Sequence, residues 1–253
     1  MEKRVKKLIS FSLNAGKKII NGKDIKVNRK EKNEAYTNYD ILVNDYIKEK
    51  ILNTFKNDTF ISEESKKIEG KSEFTWVLDP IDGTNNFMNS IPFFCISLAL
   101  LKNNKYYAGI VHNPIINETF ISYEDKAYFK KKFTKNIVKT PQLRKEDSLI
   151  SYGISRSKLK EWQDIKKEWN KLAFGFQAIR NLGSAAIEIS YVGLGRLGIY
   201  MIIGYNIWDI AGAILFAKNA GASYYINEEK SFLIVYNKNF ENDVKNFLSN
   251  TGF

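Results

Sequence analysis

Two aspartates with a spacing of three residues are the strongest candidates for chemistry in this sequence. Asp79 ends an apolar run, Pro80 follows with its restricted φ, and Asp82 comes three residues after Asp79. A tight turn can aim two carboxylates with this spacing at one point, and hard divalent cations prefer carboxylate oxygens as ligands. The pair therefore predicts a cation site, although an Asp-Pro pair at a strand end is also common in purely structural turns.

The two residues that follow this pair could hold an anion. Gly83 lacks a side chain, so the backbone can approach a ligand closely there. If a helical turn begins at this point, the N–H groups of Gly83 and Thr84 face that ligand. Two carboxylates beside free N–H groups fit a cation that bridges to a phosphate group.

Further acids lie at the ends of two other predicted elements. Glu63 and Glu64 follow the preceding strand, and Asp209 lies at the start of a predicted helix, where it could also be merely a cap. Four acids near one point would repel one another, and Mg²⁺ would neutralise them while keeping some of its waters. One of those waters could be the nucleophile of a hydrolysis reaction.

Apolar periodicity predicts the elements that must position these acids in the first half of the chain. Helical spacing indicates helices over residues 4–20 and 40–55, the second with Asp40 as its N-cap, with a polar loop at residues 28–38 between them. Short strands that end in acidic residues, and then a meander, are predicted at residues 59–61, 74–78, 93–101, 106–112, 118–122 and 127–129.

The second half alternates strands with helices. Strands are predicted at residues 149–152, 177–180, 198–203, 222–226 and 232–236. Helices are predicted at residues 158–171, 184–192, 207–219 and 240–248. The alternation implies an α/β (α+β) fold of layered helices and sheets. The composition turns polar near residues 135–148, so we expect an N-terminal half (1–140) and a C-terminal half (141–253) in one compact catalytic unit.

Composition narrows the classes of function. The 253 residues include one cysteine, Cys95, and one histidine, His112, so an internal disulfide and a cysteine- or histidine-based metal cluster are excluded. No apolar run is long enough to cross a bilayer, and the charged, amphipathic start lacks the pattern of a signal peptide, so we expect a cytoplasmic protein without membrane contact. The net charge of +11 favours anionic partners such as phosphorylated substrates or nucleic acid, or reflects a lysine-rich solvated surface.

Several motifs, in order along the chain, resemble those of the inositol monophosphatase family, including its bacterial-type inositol-1-monophosphatases. The most specific is Asp79-Pro80-Ile81-Asp82-Gly83-Thr84-Asn85-Asn86-Phe87. Weaker matches are Thr37-Asn38-Tyr39-Asp40, Ile61-Ser62-Glu63-Glu64-Ser65 with Ser62 in place of the usual glycine, Gly109 to Pro114, Gly183-Ser184-Ala185-Ala186, and Trp208 to Ala213.

The resemblance implies a layered αβαβα sandwich, a homodimer and a lithium-sensitive, magnesium-dependent phosphatase. It implies that Mg²⁺ is held by Glu63, Asp79, the carbonyl of Ile81, Asp82 and Asp209. The catalytic residues would be Glu63, Thr84 and Asp82, with Thr84 and Glu63 activating the attacking water. The substrate would contact the amides of Gly83 and Thr84 together with Ser184, Ala185 and Asp209.

One position departs from the family pattern. Inositol-preferring members carry a glutamate seven residues before the C-terminal metal-binding aspartate, and this chain has Ile202 there. Loss of that hydrogen bond to a polyol would cost about 1–3 kcal/mol. An inositol monophosphate is the favoured substrate, while a sugar phosphate, a nucleoside 3′,5′-bisphosphate, or an RNA- or transcription-associated binding role without catalysis stays open.

Overall fold

The strands of the first half form an eight-stranded mixed sheet in the computed structural model, which describes residues 2–22, 24–29, 35–132 and 134–253. The sheet has the strand order β10-β9-β8-β7-β6-β5-β3-β4. Its strands are β3 (Thr59–Ser62), β4 (Ser65–Ile68), β5 (Phe74–Asp82), β6 (Cys95–Lys102), β7 (Lys105–Asn113), β8 (Glu118–Tyr123), β9 (Lys126–Lys131) and β10 (Thr134–Ile137). β3 is parallel to β5, and the other neighbours are antiparallel.

Two helices, α1 (Lys3–Ile20) and α2 (Asn38–Thr54), cover one face of this sheet. The buried residues of α1 recur at helical spacing and join a core with β5, β6 and β7. Asp40 is not the N-cap that the sequence suggested. Thr37 caps α2, and the Asp40 carboxylate accepts hydrogen bonds from the Thr37 N–H at 2.7 Å and from the Thr37 hydroxyl at 2.5 Å. The reason is a capping box, in which the acid lies three residues after the cap.

The polar connection predicted as a loop at residues 28–38 is partly ordered into strands. β1 (Val27–Arg29) and β2 (Ala35–Thr37) pair antiparallel. Residues 30–34 lie outside the described part of the chain. Both strands are short and largely polar, so they carried no apolar alternation that could have predicted them.

The C-terminal half forms a five-stranded sheet with the order β12-β11-β13-β15-β14. Its strands are β11 (Leu149–Ile154), β12 (Ala178–Arg180), β13 (Ile199–Ile203), β14 (Ser223–Asn227) and β15 (Phe232–Tyr236). Helices α4 (Leu159–Ala173) and α7 (Glu241–Thr251) share a buried core with this sheet. Helices α5 (Ala185–Leu194) and α6 (Ile207–Ala220) share another core with both sheets and so lie between them.

The result is a stack of helices, sheet, helices, sheet and helices, which confirms the predicted αβαβα sandwich. Across the described residues, no helix combines the length and apolarity that a membrane crossing requires.

Close contact between α6 and the large sheet depends on two glycines. A side chain on Gly109 would meet the backbone oxygen of Gly212 at 2.4 Å, and one on Gly212 would meet Ser97 Oγ at 2.5 Å. Because neither residue has a side chain, α6 lies directly on β6 and β7. The same contact places the start of α6, which includes Asp209, next to β5, the strand that holds Asp79 and Asp82.

Cys95 and His112 are both buried, as expected for structural residues. The ring of His112 packs under α1, where a side chain on Gly16 would come within 2.7 Å of it. Its Nδ1 lies 2.9 Å from Thr119 Oγ1.

The buried imidazole of His112 predicts a pH-dependent loss of stability. Burial lowers its pKa to about 4, whereas an exposed histidine in the unfolded chain has a pKa of about 6.5. The unfolded chain therefore binds the proton first as the pH falls, and stability is lost between these two values. We expect urea unfolding at pH 7 and pH 4.5 to show a larger loss in the wild type than in His112→Asn, by on the order of 2–3 kcal/mol. Equal losses in the two proteins would contradict this assignment.

Candidate active site

A β-bulge places Asp79 and Asp82 on the same face of the large sheet. Asp79 pairs with Ser97, whereas Asp82 pairs with Cys95, so β5 uses three residues where β6 uses two. Without the extra residue, a spacing of three would point the two side chains to opposite faces. Both carboxylates are buried and face the helices of the middle layer.

Helix α5 supplies the hydrogen-bond donors for Asp82. The carboxylate accepts from Ser184 Oγ at 2.5 Å, from the Ala186 N–H at 2.8 Å and from the Ala185 N–H at 3.2 Å. The N–H groups belong to the first turn of α5, whose positive end stabilises a negative charge. Burial raises the pKa of Asp82, and these three donors oppose that rise.

Asp79 has a carboxylate oxygen, Oδ1, that is buried without a hydrogen-bond partner. Its pKa is raised well above the ordinary value, first by burial and then by the negative charges of Glu63, Asp82, Asp209 and Asp40. Four acidic side chains thus lie within electrostatic reach of Asp79. A positive charge would stabilise a buried carboxylate in this state.

Glu63 and Asp209 reach this region from two further elements. Glu63 follows β3 directly, and its N–H donates to the carbonyl of Leu78, the residue before Asp79. Asp209 lies in the first turn of α6, where its Oδ2 accepts from the Asn206 N–H at 2.7 Å. Glu63, Asp82 and Asp209 therefore all lie near enough to Asp79 for their charges to raise its pKa. Glu64 is half-buried beside Glu63 and raises the pKa of Asp40.

The turn after Asp82 has the conformation that its glycine predicted. Gly83 has φ of +93° and precedes the short helix α3 (Thr84–Met88). A side chain there would meet the carbonyl oxygens of Gly183 at 3.0 Å and Phe93 at 3.1 Å. Thr84 Oγ1 donates to the Ile81 carbonyl at 2.9 Å and also lies 3.5 Å from Asp40 Oδ1.

The predicted substrate residues lie beside this cluster. Ser184 and Ala185 are buried against Asp82, so contact with a substrate stays a prediction for them. Ile202 is 8% exposed on β13 and belongs to the same apolar cluster as Ala185 and Ile210, which neighbour the acids. The effect of Ile202 on a polyol substrate stays a prediction.

The oxygen atoms available as ligands in this cluster suit a hard cation such as Mg²⁺. In the ranges that the structure describes, no three His, Cys, Asp or Glu side chains form a ready-made metal shell. The orphaned Asp79 Oδ1, the other acids and the Ile81 carbonyl offer oxygen ligands, which fit Mg²⁺ and not a soft metal.

Sequence reasoning missed two residues near the site. Asp40 was interpreted as a cap, yet it is 1% exposed, contributes to the charge at Asp79, and has a pKa raised by burial to about 6. The sequence feature that could have identified it is the capping-box pattern from Thr37 to Asp40. Glu188 is equally buried on α5. An acidic residue within an otherwise apolar helix was the signal there.

Two surface grooves lie apart from the acids. One of about 580 Å³ runs along α1 past His112, and one of about 410 Å³ lies over β3 and β5 and reaches Ile207. Neither groove is lined by Asp79, Asp82 or Asp209.

Known proteins share this sequence pattern and fold. A model of the inositol monophosphatase family matches residues 3–242. Nus factor SuhB from Pasteurella multocida is 31% identical over 199 residues, which are 78% of this chain and 74% of that protein. A fructose-1,6-bisphosphatase/inositol-1-monophosphatase from Thermotoga maritima is 32% identical over 176 residues, 69% of this chain and 64% of that protein. The solved structure of an IMPase from Thermotoga maritima matches with a TM-score of 0.83 at 26% identity, over 99% of this chain and 98% of that one. On its sequence and its layered fold, the chain belongs to the inositol monophosphatase family.

Proposed function

We propose that this protein is a Mg²⁺-dependent phosphatase of a small phosphorylated metabolite. The observation that carries the proposal is the buried Asp79 carboxylate, which has an unpartnered oxygen and four further acids around it. Membership of the family supports a phosphatase. When bound, Mg²⁺ supplies charge neutralisation for the phosphoryl oxygens and the leaving group.

The residues of the chain would divide the remaining work. Glu63, Asp79, Asp82, Asp209 and the Ile81 carbonyl would hold the cation. The N–H groups of Gly83 and Thr84 would hold the phosphate, since they lie at the start of α3 beside the acids. Glu63 and the Thr84 hydroxyl would orient the attacking water, with Glu63 accepting its proton. Ser184 and the amides of α5 would keep the Asp82 carboxylate in position.

The substrate is proposed to be an inositol monophosphate or another phosphate monoester of similar size. The name of the Thermotoga maritima relative couples fructose 1,6-bisphosphate with inositol 1-phosphate. Ile202 offers no acceptor for a ring hydroxyl, which favours substrates that need fewer polar contacts at that wall. A nucleoside 3′,5′-bisphosphate stays a further alternative.

A second candidate is a binding role in a transcription assembly. It is favoured by the similarity to a relative named as a Nus factor and by the net charge of +11. This role would not require an intact cation site, so it can accompany catalysis or replace it.

The proposal includes a homodimer in the cytoplasm. Exposed apolar side chains on and beside the edge strand β12, Phe174 and Ile179, suit contact with a second copy. Light scattering should then give twice the chain mass of 29.2 kDa, and a monomer at micromolar concentration would refute the dimer.

Phosphate release from a substrate panel tests the function directly. The panel comprises myo-inositol 1-phosphate, fructose 1,6-bisphosphate, glycerol 2-phosphate and adenosine 3′,5′-bisphosphate, each with and without Mg²⁺ and Li⁺. We expect release that requires Mg²⁺ and is suppressed by Li⁺. If folded protein that binds Mg²⁺ releases phosphate from none of them, catalysis is refuted and the binding role gains support. RNA affinity at about 0.15 M salt would then be measured.

Asp79→Asn provides the cleaner test of the cation site. In Asp82→Asn, the new amide NH₂ would face N–H groups of α5, so hydrogen bonds that hold the fold would be lost as well. Asp79 Oδ1 accepts no hydrogen bond, so Asp79→Asn breaks none at that atom. We expect Asp79→Asn to lower kcat by about 10³-fold or more, because the cation loses a ligand. The free energy of unfolding of the variant without metal should be unchanged or higher, because a buried negative charge that is repelled by its acidic neighbours is removed.

The matched control for this variant is Asp58→Asn. Asp58 is equally buried, but it accepts hydrogen bonds from Arg4, Ser72 and Trp76 away from the site. The Asp58→Asn variant should therefore be less stable than the wild type but have the same kcat. Near-normal turnover in Asp79→Asn would refute the assignment of the site.

Ile202→Glu tests the specificity wall. A carboxylate at this position could accept a hydrogen bond from a ring hydroxyl, worth about 1–3 kcal/mol. We expect the ratio of kcat/KM for myo-inositol 1-phosphate over glycerol 2-phosphate to rise about tenfold, with some loss of stability because the residue is buried. Ile202→Leu keeps the wall apolar and should leave the ratio unchanged. The same ratio in both variants would show that this side chain does not select the substrate.

A further inference from the structure

Glu188 is a buried acid that the proposed mechanism does not use. It lies in the first turn of α5 and is 1% exposed. Its Oε1 is hydrogen-bonded to Ser151 Oγ on β11 and lies 3.3 Å from the Leu182 N–H. Burial raises the pKa of Glu188 to about 7, although Ser151 and the backbone N–H groups of Leu182 and Ser184 oppose the rise.

The hydrogen bonds of Ser151 bear on the protonation state of this acid. Ser151 Oγ lies within hydrogen-bond reach of Glu188 Oε1 and, at 2.9 Å, of the Arg180 carbonyl oxygen. A hydroxyl has one proton and cannot donate to both acceptors. Both acceptors are satisfied if Glu188 carries a proton and donates it to Ser151 Oγ, while the Ser151 hydroxyl donates to Arg180. The geometry therefore favours the neutral acid.

Glu188 holds one side of the turn at residues 181–184, and the site lies on the other side. The Leu182 carbonyl accepts from Asn86 Nδ2 at 2.7 Å, which joins the turn to α3. The Gly183 carbonyl lies against Gly83, the residue predicted to hold phosphate. Ser184, the last residue of the turn, donates to Asp82, and so do Ala185 and Ala186 directly after it. A displacement of the turn would therefore move the predicted phosphate cradle and the donors of Asp82 together.

We propose that Glu188, as a neutral acid bonded to Ser151, is a positioning residue that sets the turn at residues 181–184 and thereby orients Asp82 and Gly83 for catalysis. The catalytic part of this inference rests on the proposed phosphatase function. The structural part concerns the turn alone and is testable in protein without metal or substrate.

The test compares Glu188→Gln, Glu188→Ala and Ser151→Ala with the control Glu118→Ala. Glutamine is uncharged like the neutral acid, but Oε1 of Glu188 makes both contacts. An amide NH₂ at that position can donate to Ser151 Oγ but loses the contact with the Leu182 N–H, so glutamine keeps only part of the pattern. Alanine removes both contacts. Ser151→Ala is the milder variant if Glu188→Ala folds poorly. Glu118 is equally buried, and it bonds Arg196 and Tyr191 at the opposite end of the same helix.

Two measurements are made on each variant. The first is hydrogen–deuterium exchange of peptides that cover residues 181–187 in metal-free protein. The second is kcat, KM and the Mg²⁺ concentration for half-maximal rate, with the best substrate of the panel. We expect Glu188→Ala to exchange at least tenfold faster in this segment, and its kcat to fall at least tenfold with a weaker response to Mg²⁺. Ser151→Ala and Glu188→Gln should both show smaller changes in the same direction, because each variant keeps one of the two contacts.

The outcomes separate the two proposals. Faster exchange in Glu118→Ala equal to that in Glu188→Ala would show a general loss of stability and overturn the positioning role. Glu188→Gln as impaired as Glu188→Ala would overturn the role of the neutral acid. If the wild type releases no phosphate, the proposed function fails, and the exchange measurement still decides whether Glu188 sets the turn.

Discussion

Asp79 and Asp82 place two carboxylates in the interior of the molecule, where burial and like charges both disfavour ionisation. An arrangement of this kind lowers the stability of the fold unless donors or a cation offset the charge. Asp82 receives three donors from α5, whereas Asp79 keeps one oxygen without a partner. The two acids, three residues apart, therefore differ in how far the fold by itself stabilises their charge.

The layered architecture places the N-termini of several helices beside this cluster of carboxylates. Four helices begin beside the acids. Helices α2 and α6 carry Asp40 and Asp209 in their first turns, α3 begins directly after Gly83, and the first N–H groups of α5 donate to Asp82. The positive end of a helix stabilises negative charge within its first turn, so their starts reduce the repulsion among the carboxylates. They also explain why the middle layer must pack tightly on the large sheet. Close approach at Gly109 and Gly212 brings the start of α6 within reach of β5.

The contacts around Asp82 extend beyond the residues that would touch a ligand. Asn86 joins α3 to the Leu182 carbonyl, and Glu188 joins the same turn to β11 of the small sheet. The two sheets, which come from different halves of the chain, are thus connected through the region that surrounds the acids. Ile202 lies on the small sheet and Asp82 on the large one, so the proposed chemistry and the proposed selection of substrate would depend on different layers. Such a division allows members of one family to keep the same acids and accept different substrates.

The sequence alone determined the identity of the acids and most of the elements that carry them. The Asp79-to-Asp82 turn, the start of α6 at Asp209 and the meander from β6 to β9 follow from local spacing, because neighbouring residues decide periodicity, capping and turns. Edge strands β4 and β10 escaped prediction because they are lysine-containing and lack apolar alternation. Only the tertiary structure decided that a bulge turns Asp79 and Asp82 to one face, that α5 donates to Asp82 from about a hundred residues away, and that Asp40 and Glu188 are buried. Those features arise from packing between segments distant in the chain, and no local pattern of residues specifies which distant groups will meet.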